Sequence, residues 1–308
     1  MKILFFGTSN VALPVLEELH RHHEIVGVVT QPDAVVGRNK ELRETPVAVL
    51  AGEMKLPIFK FEKIGQDSSI VTQFSTLQPE LSVVVSYGSI LPQAILDIPH
   101  YKTLNIHFSL LPKYRGAAPL QYALVNGETE TGITIFRLNA EMDRGPIITQ
   151  EKHLIEPDDN FLRLSQRLAY ASAKLITAVI PDYTADKLPL VPQDELQATY
   201  TKIIAREDGR IRWDKTAQEI YNEFRGFYPW PGIWTVWQGK NIKIMDCEVT
   251  SEPSGDVRNL GTVLAGGVIV CGQNTYLQIK SLQLEGKTET AITSFLNGYQ
   301  NFVGAILE

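Results

Sequence analysis

Short apolar runs alternate with stretches whose apolar residues recur at helical spacing along the first half of the chain. The runs 3–6, 25–31, 81–86 and 103–108 are read as strands, and 11–20 and 46–55 as helices. Such alternation predicts an α/β fold, a Rossmann-like, mostly parallel sheet with helices on both faces. After 103–108, Pro112, Gly116 and Pro119 keep the chain irregular until a short helix opens on Pro119 and ends at Gly127. A further strand is expected over 132–138. Phe161, Leu164, Leu168, Ala171 and Leu175 then mark a helix that should stop before Pro181. From 181 to 206 Pro, Asp, Gln and Thr appear without a period, which predicts an extended linker. Beyond it, Thr216 and Glu219 match a helix capping box, and short runs at 234–237, 242–245, 261–264, 268–270 and 276–284 predict a small β-barrel. The expected organisation is a first domain over 1–183, a linker over 184–206 and a barrel domain over 207–308.

Composition changes this picture little. A chain of 308 residues, 44% hydrophobic and 21% charged, has apolar content for two cores. The apolar run at 1–6 ends at Gly7, too short for a signal peptide or a membrane span, so it is read as the first strand. Cys247 and Cys271 lack metal or disulfide-framework spacing, and a reducing cytoplasm is the expected location. The net charge of -6 argues against coating nucleic acid by bulk electrostatics, so any RNA contact must be a local basic patch. The first turn, Gly7-Thr8-Ser9-Asn10-Val11-Ala12, lacks the Gly-x-Gly-x-x-Gly spacing of dinucleotide sites, which disfavours a dehydrogenase.

The candidate chemistry lies at 104–119. Alternate strand residues share a face, so Asn105 and His107 point together while Leu104, Ile106 and Phe108 point into the core. Asp143 follows the strand at 132–138 in a loop, where an open sheet is expected to place its ligands. A lone strand histidine is commonly a satisfied core residue, and a lone Asn or Asp an edge or turn residue. An amide, an imidazole and a carboxylate that converge without a Ser or Cys nucleophile instead suit stabilisation of a tetrahedral intermediate, formed when a substrate amine attacks a carbonyl. His20, His22 and His23 are read as solvated residues at a helix end, not as a metal site. Trp230, between Pro229 and Pro231, is read as part of a packed turn.

Asn105, His107, Ser109 to Pro112 and Asp143, with Gly7-Thr8, Gln31-Pro32-Asp33, Tyr87-Gly88, Leu91-Pro92 and Pro229-Trp230-Pro231-Gly232, resemble the folate-dependent formyltransferases. The longer motif through Arg115-Gly116-Ala117-Ala118-Pro119 resembles the members whose acceptor is charged initiator tRNA. That resemblance implies 10-formyltetrahydrofolate as a co-substrate and no metal, with Asn105, His107 and Asp143 catalytic. It implies a folate edge at Ser109, Leu110, Leu111 and Pro112, walled by Tyr87, Gly88 and Ile90. It also implies tRNA contacts at Arg38, Lys40 and Arg43 and an oligonucleotide-binding-type barrel in the second domain. The partners expected are charged initiator tRNA and the folate donor, with no membrane and a monomeric chain. The alternatives are a formyltransferase acting on nucleotide-linked amino sugars and a folate- or RNA-binding module without turnover. Two departures bear on the acceptor: Ala48 stands where the family often carries Lys, and residues 206–308 hold ten Lys or Arg against twelve Asp or Glu.

Overall fold

The computed structural model describes residues 1–36, 41–65, 68–251 and 259–308. They form two compact units, one of Met1–Pro119, Glu130–Leu154 and Arg163–Lys202, the other of Leu120–Thr129, Ile155–Leu162 and Ile203–Glu308. Residues 184–202, expected to be linker, thus group with the first unit.

The first unit is built on β1 (Lys2–Gly7), β2 (Glu24–Thr30), β3 (Ile58–Lys60), β4 (Leu81–Val85) and β5 (Thr103–His107), which pair in parallel. β6 (Glu130–Arg137) and β7 (Ile147–Leu154) add an antiparallel edge, giving the order β7-β6-β5-β4-β1-β2-β3. β1 and β4 are almost wholly buried, as strands covered on both faces must be. α1 (Leu13–His22), α2 (Pro46–Glu53) and α3 (Ser68–Thr76) connect the parallel strands. Leu4, Phe6, Val29, Phe74, Val84 and Tyr87 share one core, with Phe74 and Tyr87 set edge-on to Phe6. The expected mostly parallel sheet is therefore present. α4 (Phe161–Thr184) runs past the expected stop, with Pro181 inside its last turn. There the proline removes a single intrahelical bond, and the Tyr183 hydroxyl donates to the Tyr101 carbonyl at 2.9 Å to hold the added turn.

The second unit contains α5 (Ala217–Gly226), whose Thr216 and Glu219 form the expected reciprocal cap: Glu219 N–H donates to Thr216 Oγ1, and Thr216 N–H to Glu219 Oε2. Its sheet comprises β8 (Ile233–Trp237), β9 (Lys240–Thr250), β10 (Val268–Cys271) and β11 (Thr275–Leu284), in the antiparallel order β8-β9-β11-β10, with Thr290–Ala291 beside β11. The run 261–264 is not a regular strand, contrary to expectation; it carries bridges from Val263 to Ile269 and from Thr262 to Ile306. The chain terminus completes the circuit, because Val236 and Glu308 exchange main-chain hydrogen bonds while Leu307 N–H donates to Gly261 O. The sheet thereby curls into a barrel whose two free edges are joined by 261–263 and 305–308. Trp237 is buried at the end of β8, edge-on to Phe295, Tyr299 and Phe302.

Candidate active site

β5 places Asn105 and His107 on one face, with Val84 beside Asn105 on β4 and Phe136 opposite it on β6. His107 is buried and its ring lies edge-on to Phe136 at 6.5 Å. Its Nε2 is 2.8 Å from the Tyr114 carbonyl oxygen. A carbonyl only accepts, so Nε2 carries the proton and Nδ1 is left facing Asp143. Nδ1 to Asp143 Oδ2 is 3.8 Å, within ion-pair reach but longer than a hydrogen bond. The Asn105 carboxamide has no hydrogen-bond partner among the described residues, which leaves its N–H groups available to a ligand.

Asp143 reaches this face by a route that the open-sheet rule does not describe. β6 runs antiparallel, with Arg137 opposite Leu104, so the following loop leaves where the parallel strands begin rather than where they end. The loop then doubles back, for Ile147 pairs with Phe136 and a Cβ added at Gly145 would fall on the Arg137 carbonyl oxygen. Asp143 itself has φ +52, in the left-handed region that aspartate tolerates better than most non-glycine residues. The Gly116 N–H donates to Asp143 Oδ2 at 2.8 Å. The Gln193 side-chain amide donates to the Asp143 and Gly145 carbonyls at 2.7 and 2.8 Å.

The segment after β5 is rigid for local reasons. The Ser109 hydroxyl donates to Lys113 O at 2.6 Å, and the Thr134 hydroxyl donates to Ser109 O while accepting from Leu111 N–H and Gln150 Nε2. The Ser109 and Leu111 side chains are buried in this arrangement, whereas Leu110 and Pro112 keep partly exposed apolar surface. Tyr87 is a core residue: its ring packs on Phe6, burial pushes its phenol up to about 12, and its carbonyl accepts from Thr8 and Gln31. Of the expected folate wall, Gly88 and Ile90 are exposed and the Tyr87 side chain is buried.

Of the expected RNA contacts, Arg38 and Lys40 lie outside the described residues, and the exposed Arg43 pairs with Glu41 at 2.9 Å. Sequence reasoning missed a second basic cluster. Arg206 and Arg210 lie over the Trp234 ring, 5.8 and 5.7 Å from its centroid, and Lys243 pairs with Trp234 across β8 and β9. Neither arginine has a carboxylate partner among the described residues. Trp230, just before Trp234 in sequence, is 58% exposed, against its expected place in a packed turn. No spacing signals this cluster, because its members meet only when residues 206–210 pack alongside β8.

Comparison with known proteins agrees with the fold and extends it. The Formyl transferase family profile matches residues 1–180, and that of the Formyl transferase C-terminal domain matches 203–300. The chain is 40% identical to the methionyl-tRNA formyltransferase of Halalkalibacterium halodurans, covering 100% of this chain and 98% of that protein. It is 39% identical to the enzyme of that name from Geobacter metallireducens, covering 97% and 96%. Among solved structures, the sugar 3N-formyltransferase WlaRD superposes with a TM-score of 0.66 at 19% identity, over 94% of this chain and 99% of that one. HypX from Aquifex aeolicus in complex with tetrahydrofolic acid superposes at 0.61 and 15% identity, over 98% and 48%.

Proposed function

The chain belongs to the formyl transferase family, and from that premise we propose that it transfers the formyl group of 10-formyltetrahydrofolate to the amino group of methionine carried by initiator tRNA. The observation that carries the acceptor is the 40% identity, over the whole chain and both units, to a protein named methionyl-tRNA formyltransferase. The likeness to sugar formyltransferases is one of fold at 19% identity. Members of the family draw the formyl group from a folate donor that is consumed at each turnover. The free Asn105 carboxamide and the apolar surface of Leu110 and Pro112 fit such a group, which combines a flat ring with a polar acyl substituent.

In this reading, Asn105 donates to the formyl oxygen as the amine attacks and negative charge develops there. His107, held at Nε2 by Tyr114 O, presents a protonated Nδ1 as the second donor. Asp143, 3.8 Å from that nitrogen, holds the imidazolium charge. Asp143 also takes the amine's proton and returns it to the nitrogen that leaves. No enzyme side chain becomes acylated. The three residues lie in the domain read as 1–183, and the barrel domain read as 207–308 contributes the tRNA contact. Arg206 and Arg210 over Trp234 offer the phosphates two unneutralised cations in an otherwise acidic segment. The enzyme works as a cytoplasmic monomer.

A formyl-transfer assay with charged initiator tRNA and nucleotide-linked amino sugars, run side by side, tests the reading. Formylation of the tRNA alone is expected. Formylation of the sugar alone would replace it with the amino-sugar alternative, and turnover of neither would leave the binding-module reading.

A further inference from the structure

We infer that Gln193 is the positioning residue for Asp143, itself aimed by Arg115 and Glu195. The inference rests on the catalytic role proposed for Asp143 and names what makes that role possible. Asp143 has φ +52 in a loop that folds back on β6, and contacts from outside the loop fix its main chain. Gln193 supplies two, donating from Nε2 to the carbonyl of Asp143 at 2.7 Å and to that of Gly145 at 2.8 Å.

A side-chain amide can present either end, and Arg115 decides which. Its guanidinium donates from Nε and Nη2 to Gln193 Oε1 at 3.1 and 2.8 Å. Five donors and no acceptor make a guanidinium compatible with the amide oxygen only, so the NH₂ is driven toward the loop. Arg115 has 0% exposure and is fixed in turn by a bidentate pair with Glu195 at 2.8 and 2.9 Å and by Tyr200, whose hydroxyl accepts at 3.1 Å. The pairing with Glu195 holds the guanidinium firmly in its charged form.

The neighbours of Arg115 address the same two catalytic candidates. Tyr114 O accepts from His107, and Gly116 N–H donates to the Asp143 carboxylate. Residues 114–116 thus fix the imidazole, the carboxylate and, through Gln193, the main chain that carries the carboxylate. This segment is pinned to residues 199–201 by Arg115 N–H to Thr199 O and Tyr114 N–H to Thr199 Oγ1. Only an amide serves at 193: glutamate would keep the Arg115 contacts but offer no N–H, and alanine would offer neither.

The test compares Gln193→Glu, Gln193→Ala, Asp143→Asn and the double variant Gln193→Glu/Asp143→Asn, each checked for an unchanged melting temperature. Gln193→Glu, which keeps the Arg115 pairing, should lower kcat about as much as Gln193→Ala, roughly tenfold to a hundredfold for a carboxylate displaced by a fraction of an ångström. KM for both substrates should stay within about twofold, and the pH profile of kcat/KM should move toward that of Asp143→Asn. In the double variant Gln193→Glu should cost nothing further, because its effect passes through Asp143. Wild-type turnover in Asp143→Asn would overturn the catalytic reading of Asp143 and the inference with it. An impaired Asp143→Asn with a fully active Gln193→Glu, or with fully multiplying losses in the double variant, would overturn the positioning role alone.

Discussion

Gly145→Ala isolates the placement of Asp143 from its chemistry. The substitution removes no hydrogen bond and leaves Asn105, His107 and Asp143 unaltered. A Cβ at this position would fall on the Arg137 carbonyl oxygen, far inside the 3.0 Å below which real Cβ contacts are essentially not found, and close to Phe136 at 3.2 Å. The obstacle is main chain of β6, fixed by its ladder to β5 and β7, so it cannot yield as a flexible side-chain end would. The loop carrying Asp143 must therefore retreat by on the order of 1 Å, and misplacement on that scale can cost about a hundredfold in rate. The same overpacking should lower stability by about 1–3 kcal/mol. Single-turnover formyl transfer to charged initiator tRNA, with urea unfolding alongside, reads both quantities. Gly52→Ala is the control: Gly52 is exposed in α2 with nothing within 4 Å of an added Cβ, so it should gain about 0.5–1 kcal/mol with unchanged turnover. Wild-type turnover in a folded Gly145→Ala enzyme would refute the claim that the fold-back of this loop sets the site.

Asn105→Ala should reduce kcat by about a hundredfold or more, since losing one oxyanion donor costs roughly 2.7–4 kcal/mol; folate binding by fluorescence titration should survive, and undiminished kcat would remove Asn105 from the reaction. Arg206→Ala/Arg210→Ala should make the dependence of log Kd for tRNA on log salt shallower by about two units if both side chains meet phosphates, with the turnover of saturated enzyme retained; an unchanged slope would place the RNA contact elsewhere. Burial pushes the Cys271 thiol up to about 12 and the Cys247 thiol higher still, so neither is thiolate at neutral pH. Alkylation by iodoacetamide, followed by mass spectrometry, should be slow in the native protein and rapid in denaturant; quick native labelling would contradict the buried placement of both.

What the sequence made legible followed local periodicity. Runs such as 3–6 and 83–85 are continuous apolar segments because their strands are covered on both faces, and Thr216 with Glu219 identifies a helix start through residues three apart. Asn105 and His107 were legible for the same reason, as alternate strand positions share a face. β3 escaped because three residues carry no alternation, and β7 because its run Thr149-Gln150-Glu151-Lys152-His153 is polar on both faces at the edge of the sheet. The approach of Asp143 was misjudged because strand direction is a property of the sheet: nothing local at 130–137 announces that β6 runs against β5. Residues 184–202 read as linker because their side chains satisfy a buried arginine rather than a core, and a polar network has no hydrophobic period. The run 261–264 reads as a strand from its apolar residues, but its hydrogen bonds are divided between 268–270 and 304–307, so no regular strand forms.

The hydrogen bonds also assign different work to the two nitrogens of His107. Had Asp143 been the group that orients the imidazole, as in a triad, its carboxylate would be committed to the ring and would lose its place whenever the ring changed charge. Here Tyr114 O fixes the ring from the other side and Gly116 N–H fixes the carboxylate, leaving 3.8 Å between Nδ1 and Oδ2. Each group therefore keeps its orientation independently of the other's protonation. In the reaction proposed above, an amine entering this space meets a carboxylate already aimed and the Nδ1 side of the imidazole, while Asn105 on the same face receives the developing oxygen charge. The arrangement needs no side chain to reorganise as the proton moves, which is the property that lets preorganised dipoles lower a barrier.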